Sequence, residues 1–144
     1  MSHQHLNILI ADDDADDRYL LKVAIEESGI NTMAYFVEDG IDVLDFLNRK
    51  GKYAHEKLQP DIILLDLNMP KKDGRQTLKE LKENILFKGI PVIIFTTSKS
   101  PDDIRSAYLA GANSYITKPS SFDQLTEIVQ TISKYWSSSL LIRS

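Results

Sequence analysis

Short apolar runs rich in β-branched residues alternate along this chain with segments whose apolar residues recur at helical spacing, and that alternation leaves few folds open. Leu6 to Ala11, Met33 to Val37, Asp61 to Leu65, Pro91 to Thr96 and Ser114 to Thr117 read as strands. Between them, Leu20, Leu21, Ala24 and Ile25 share a helical face, as do Val43, Leu44, Phe46 and Leu47, and then Leu78, Leu81 and Ile85. The clearest stripe comes last: Phe122, Leu125, Ile128, Val129, Ile132 and Trp136. Capping residues agree. Ser100-Pro101-Asp102-Asp103 supplies a cap, a proline at the first helical position and acids in the first turn. Ser121 with Gln124 is a capping box, and Gly29 and Gly111 stand where helices should stop. Strand–helix units in series require a parallel sheet with helices on both faces. The third and fourth runs are apolar throughout, as strands sealed on both faces should be. The expectation is an α/β fold, one doubly wound domain over residues 1–144. Its core spans about 6–136, a tail covers 137–144, Asn48 to Pro60 is a polar insertion, and no output domain is present.

Composition narrows the function. Lys and Arg number 17 against 21 Asp and Glu, a net charge of −4, which opposes binding to nucleic-acid phosphates. The absence of cysteine removes disulfides, thiol catalysis and Cys-ligated zinc. Met1-Ser2-His3-Gln4-His5 lacks the basic and apolar regions of a signal peptide, and runs such as Ile62-Ile63-Leu64-Leu65 are too short to span a membrane. A cytoplasmic location is expected.

In an open α/β sheet, ligands bind outside the carboxyl ends of the strands. Asp12-Asp13, Asp66, Thr96-Thr97 and Lys118-Pro119 end the first, third, fourth and fifth runs. Carboxylates, a hydroxyl and an amine should therefore converge. Two like charges ~4 Å apart cost about 4 kcal/mol at an effective dielectric near 20, so the acids need cations. Lys118 supplies one, and a divalent ion with oxygen ligands, Mg²⁺ by preference, supplies the rest. A carboxylate beside such an ion, an amine and a hydroxyl is suited to accept a phosphoryl group. The run Asp12 to Asp17 is not a calcium loop, because Asp17 fills the position that needs glycine and Val23 the one that needs glutamate. Asp14, Asp16 and Asp17 instead suit the start of the first helix.

Asp12-Asp13, Asp66-Leu67-Asn68-Met69-Pro70 with Asp73-Gly74, Phe95-Thr96-Thr97-Ser98 and Lys118-Pro119 resemble, in order and spacing, the signature of a response-regulator receiver domain. The resemblance covers about Leu6 to Trp136. It implies a CheY-like, five-stranded sheet of order 2-1-3-4-5. Gly51-Lys52-Tyr53-Ala54, the segment Asp39 to Leu47 and Lys72-Asp73-Gly74-Arg75 are further similar to single-domain regulators paired with bacterial phytochromes.

The resemblance also implies roles. Asp66 accepts phosphate from a sensor histidine kinase, and the finer resemblance makes that kinase one of the phytochrome type. Asp13 binds Mg²⁺, Asp12 holds its water, and Asn68 lends a backbone carbonyl. Lys118 pairs with Asp66 and then with a phosphoryl oxygen, while Thr96 donates to another. Thr96 and Tyr115 act as the switch, and a protein partner reads the change. It implies a cis peptide before Pro119, against the general trans preference. Thr97 and Ser120 depart from the usual family residues at their positions. Asn68 and Ser98 flank the path of hydrolytic water, and neither is acidic, which implies slow to moderate self-dephosphorylation. Leu140-Leu141-Ile142 offers a homodimer surface at the last helix. Other readings are a phosphorylation-independent binding module and a haloacid-dehalogenase-like phosphohydrolase. The latter is disfavoured because Asp66-Leu67-Asn68 lacks a second acid.

Overall fold

Strand β3 (Ile62–Leu65) and strand β4 (Val92–Thr96) are buried at every residue. That is only possible with layers on both sides of them, so they form the middle of the sheet. A computed structural model, which describes residues 5–29 and 31–143 and the side chains as far as residue 138, gives the rest. Strands β1 (Leu6–Ala11), β2 (Thr32–Val37) and β5 (Ser114–Thr117) complete a five-stranded parallel sheet of order β2-β1-β3-β4-β5. The expected strands form with boundaries within one residue. Asp61 falls outside β3, where its carboxylate accepts from the Asn7 amide at 2.8 Å, and Pro91 contributes only its carbonyl, to Ile63.

Alternate residues along each strand feed two cores. Leu9, Ile63, Leu65 and Ile94 pack with Val43, Phe46, Leu78 and Leu81 on one face. These come from helices α2 (Gly40–Asn48) and α3 (Gly74–Glu83), and α4 (Pro101–Leu109) adds Ala107. Ile8, Ile10, Leu64 and Ile93 pack on the other face with Leu21 and Ile25 of α1 (Ala15–Ser28) and Leu125, Val129 and Ile132 of α5 (Phe122–Arg143).

The helix ends follow their local chemistry. Asp14, Asp39, Asp73 and Ser100 each accept a backbone N–H three residues on. Ser121 Oγ accepts from Gln124 N at 3.2 Å. Gly29 closes α1 at φ 72°, a left-handed conformation that favours glycine.

Two regions differ from expectation. Residues 49–60 are more than a polar loop: Tyr53, in the 3₁₀ turn Gly51–Tyr53, sets its ring 5.2 Å from that of Phe46, and Arg49 donates to the Leu58 carbonyl at 2.7 Å. Apolar anchoring fixes the insertion on α2. The backbone of α5 runs on to Arg143, so residues 137–143 extend the helix and are not a separate tail. Serine and the following aliphatic residues are compatible with helix, and no glycine or proline interrupts them. The proposed dimer surface at Leu140-Leu141-Ile142 lies outside the residues whose side chains are described. Among the described residues, no helix is long and apolar enough to cross a membrane.

Candidate functional site at the carboxyl edge of the sheet

The ladder continues past the strand ends and aligns the polar residues that follow them. Asp12 N donates to Val37 O at 3.1 Å, Asp66 N to Ala11 O at 3.0 Å and Lys118 N to Thr96 O at 2.8 Å. Asp12, Asp66 and Lys118 are thereby delivered to one edge from β1, β3 and β5.

Their side chains meet there. Lys118 Nζ donates to Asp12 Oδ2 at 2.7 Å, to Asp66 Oδ2 at 2.8 Å and to Asp17 Oδ2 at 2.8 Å. All three ammonium donors are used. The Lys118 side chain is only 10% exposed, so these partners compensate a cation largely removed from water. Asp12 Oδ1 also accepts from Asp14 N at 2.9 Å, and Arg18 donates to the Asp12 carbonyl at 2.8 Å. Asp66 Oδ1 accepts from Asn68 N at 3.3 Å. Asp13 is exposed at the rim, yet one oxygen each of Asp12, Asp13 and Asp66 lie within 4.8 Å of one another.

The electrostatics follow from this crowding. Burial pulls the Lys118 amine down, but its hydrogen bonds to Asp12, Asp17 and Asp66 outweigh it and hold the amine above the ordinary lysine range. Burial pushes the Asp12 carboxyl up, against the hydrogen bonds from Lys118 and Asp14, with a smaller push from the Asp66 charge. The leading causes differ: burial governs Asp12, and the carboxylate partners govern Lys118.

Thr96 ends β4 beside this cluster, fully buried. Its hydroxyl is the only buried side-chain polar atom among the described residues with no hydrogen-bond partner. An unsatisfied buried hydroxyl costs roughly 1–3 kcal/mol, so this one is free to donate. Half-buried Tyr115 donates from its hydroxyl to the Ser98 carbonyl at 2.9 Å. Thr97 and Ser120 are exposed, and Ser120 lines a small apolar cavity with Leu20, Phe95, Pro119 and Phe122 beside Lys118. The Lys118–Pro119 peptide is trans, contrary to expectation.

Glycine at position 74 sets the loop that carries Asp66. A Cβ there would stand 2.0 Å from the Asp66 carbonyl oxygen and 2.7 Å from Leu67 Cα. Only a residue without a side chain lets the start of α3 rest on that backbone.

Asp12, Asp13, Asp66, Asn68, Thr96 and Lys118 thus lie at this edge and Asp17 joins them, while Tyr115 sits within β5 and reaches the loop after β4 only through its hydroxyl. Asp17 reads from sequence as helix decoration. Its available signal was its place in the first turn of a helix that starts just after Asp13. Residues Arg75 and Asp103 are a second omission. Arg75 Nη2 donates to Asp103 Oδ1 at 3.1 Å and Nη1 to Asn68 Oδ1 at 3.4 Å, while Ser98 Oγ donates to Asp103 Oδ2 at 2.6 Å. Nothing in the order of residues pairs them.

The family model described as "Response regulator receiver domain" matches residues 8–130. This chain belongs to the response-regulator receiver family. Response regulator Rcp1 of Synechocystis sp. is 38% identical over 129 residues, which span 90% of this chain and 87% of that protein. The crystal structure of the phosphorylated cyanobacterial phytochrome response regulator RcpA is similar at a TM-score of 0.86 and 39% identity, covering 94% of this chain and 96% of that one. A Mn²⁺-bound form of Rcp1 is similar at a TM-score of 0.81 and 38% identity, covering 90% and 93%. The receiver domain is therefore homologous to single-domain phytochrome response regulators, consistent with a two-component phosphorelay. Receiver domains take phosphoryl groups from sensor histidine kinases. The hydrolase and phosphorylation-independent readings find no support in these relationships.

Proposed function

We propose that this receiver is a cytoplasmic protein whose phosphoacceptor is Asp66, served by a sensor histidine kinase of the phytochrome type, and that the phosphorylated protein signals by protein contact. The observation that carries the assignment is the largely buried Lys118 ammonium, bonded at once to Asp66 Oδ2 and Asp12 Oδ2.

The donor set fits a small hard cation. Three carboxylates with oxygens within 4.8 Å of one another match the preference of Mg²⁺ for oxygen ligands from few side chains. Asp12, Asp13, Asp66 and the Asn68 backbone carbonyl would hold it. When bound, the ion supplies neutralisation of charge on the phosphoryl oxygens.

The chain's own residues do the rest. An Asp66 carboxylate oxygen attacks phosphorus on the donor phosphohistidine. The new P–O bond forms as the P–N bond breaks, and the imidazole leaves with the electron pair. Lys118 exchanges its bond to Asp66 for one to a phosphoryl oxygen and balances the added charge. The orphan Thr96 hydroxyl donates to another. A phosphoryl group brings about −1.5 to −2 charge and three strong acceptors, so it draws both donors toward it. Movement of Thr96 is transmitted through the following residues to Ser98, whose carbonyl holds Tyr115.

Incubation with acetyl phosphate and Mg²⁺, followed by intact-mass measurement, tests this. Wild type should gain one phosphoryl group and Asp66→Asn none. A wild type that stays unmodified with several donors, or an Asp66→Asn variant that is still modified, overturns the assignment.

A further inference from the structure

Beyond the phosphoacceptor, a chain of polar contacts connects the loop after β3 to the loop after β4. Arg75 is the second residue of α3, directly after the glycine that rests on the Asp66 backbone. From there its guanidinium, which also lies 3.8 Å from Asp73 Oδ2, reaches two ways. One nitrogen donates to Asn68, whose backbone amide is bonded to Asp66 Oδ1. The other donates to Asp103 in the first turn of α4. Asp103 in turn accepts from Ser98, two residues past Thr96, and the Ser98 carbonyl accepts from Tyr115. The Ser98 hydroxyl and the Arg75 guanidinium hold the Asp103 carboxyl below the ordinary carboxylate range, Ser98 contributing more. The loop after β3 and the loop after β4 are thus tied together by a single ion pair between α3 and α4.

We propose that Arg75 and Asp103 form a latch over the phosphoacceptor pocket, and that they act as positioning residues which limit how fast a small phosphodonor enters and how fast water removes the phosphoryl group. This rests on the assignment of Asp66. Neither residue touches Asp66 itself. Their effect runs through Asn68 and Ser98, the two side chains that the latch restrains. The pair is partly exposed, with side-chain exposures of 44% and 24%, so its strength belongs to the range that opens readily.

The charges make the idea separable from simple field effects. Arg75→Ala removes a positive charge near an anionic donor's path, and Asp103→Ala removes a negative one. Long-range electrostatics would slow the first variant and speed the second. A latch speeds both.

Phosphorylation by acetyl phosphate at fixed Mg²⁺, and decay of the phosphoryl group after donor removal, are followed by intact mass. The proteins are wild type, R75A, D103A, the double variant and R75K. Both single variants should accelerate both processes by about two- to fivefold, the reach of one exposed ion pair. The double variant should be no faster than the faster single, and R75K should lie nearer wild type than R75A does. Rates of R75A equal to or below wild type, opposite effects of the two single variants, or multiplicative effects in the double overturn the latch. If wild type takes up no phosphoryl group, the Asp66 assignment fails instead, so the two failures are distinct.

Discussion

Lys118 Nζ stands 2.8 Å from Asp66 Oδ2 and 2.7 Å from Asp12 Oδ2, one ammonium joining the acids that follow β3 and β1. Removing it leaves buried carboxylates uncompensated, and breaking a buried ion pair from one side typically costs about 3–5 kcal/mol. Lys118→Ala should lower the melting temperature markedly in calorimetry. It should also slow phosphorylation by acetyl phosphate about 10²–10³-fold, the effect of losing one preorganised charge-stabilising donor. Its pH signature has a definite sign. The folded pKa of Lys118 is raised, so the stability it contributes is fully present below the unfolded value of about 10.4 and is lost only as pH rises through the higher folded value. Wild type should show no loss of this contribution between neutral pH and about pH 10. A loss setting in near neutrality would contradict the ion-pair geometry.

Asp12 carries the opposite implication. Burial raises its folded pKa, so the protonated form fits the fold better than the ionised one. The corresponding stability is present below the unfolded value of about 3.9 and is lost as pH rises through the folded value. At neutral pH without divalent ions, Asp12→Asn should therefore melt higher than wild type, by about 2–4 °C for each kcal/mol gained. The advantage should shrink as pH falls into the carboxylate range. Thermal scans in EDTA from pH 3.5 to pH 8 decide it, and a variant less stable than wild type at neutral pH would show that the Lys118 bond outweighs burial.

The layers of this fold were legible because the signals are local and redundant. The runs ending at Ala11, Leu65 and Thr96 are largely apolar and branched, the run ending at Thr117 is short and carries Tyr115 and Ile116, and Asp12, Asp66 and Lys118 stand next to them in sequence. Strand direction in a parallel sheet then sends all of them to one edge. What sequence could not reveal depends on distances between helices. Asp17 reads as a first-turn acid, and only the packing of α1 on the sheet brings it to Lys118. Arg75 and Asp103 sit on different helices, and their meeting needs the position of α3 relative to α4. Tyr53 looks like one aromatic in a polar stretch, and its contact with Phe46 depends on how the insertion turns back.

The acids also predict a thermal response to metal. With oxygens of Asp12, Asp13 and Asp66 clustered within 4.8 Å, a divalent cation binds the folded state and stabilises it by linkage, about 2.7 kcal/mol at a hundredfold excess over Kd. Titration with Mg²⁺ or Mn²⁺ should raise the melting temperature of wild type in a concentration-dependent way. Asp13→Asn should lose most of that rise while melting normally in EDTA, because Asp13 is exposed and has no buried partner to strand. A full metal response in Asp13→Asn would remove Asp13 from the ligand set.

Gly74 links the fold to the site through packing alone. A methyl group at this position would stand 2.0 Å from the Asp66 carbonyl oxygen and 2.8 Å from its carbonyl carbon, and neither atom can yield without moving the residue that carries the carboxylate. Gly74→Ala should cost about 1–3 kcal/mol, the usual range for overpacking, and should slow phosphorylation even under conditions where the variant is fully folded. Gly29→Ala is the natural comparison. Its Cβ meets nothing within 4 Å, and only its left-handed backbone at φ 72° resists the change. It should lose about 1 kcal/mol of stability and keep wild-type phosphorylation. Urea unfolding and initial phosphorylation rates on both variants separate the two effects. Equal phosphorylation by Gly74→Ala and wild type would show that the β3–α3 loop can shift without disturbing Asp66.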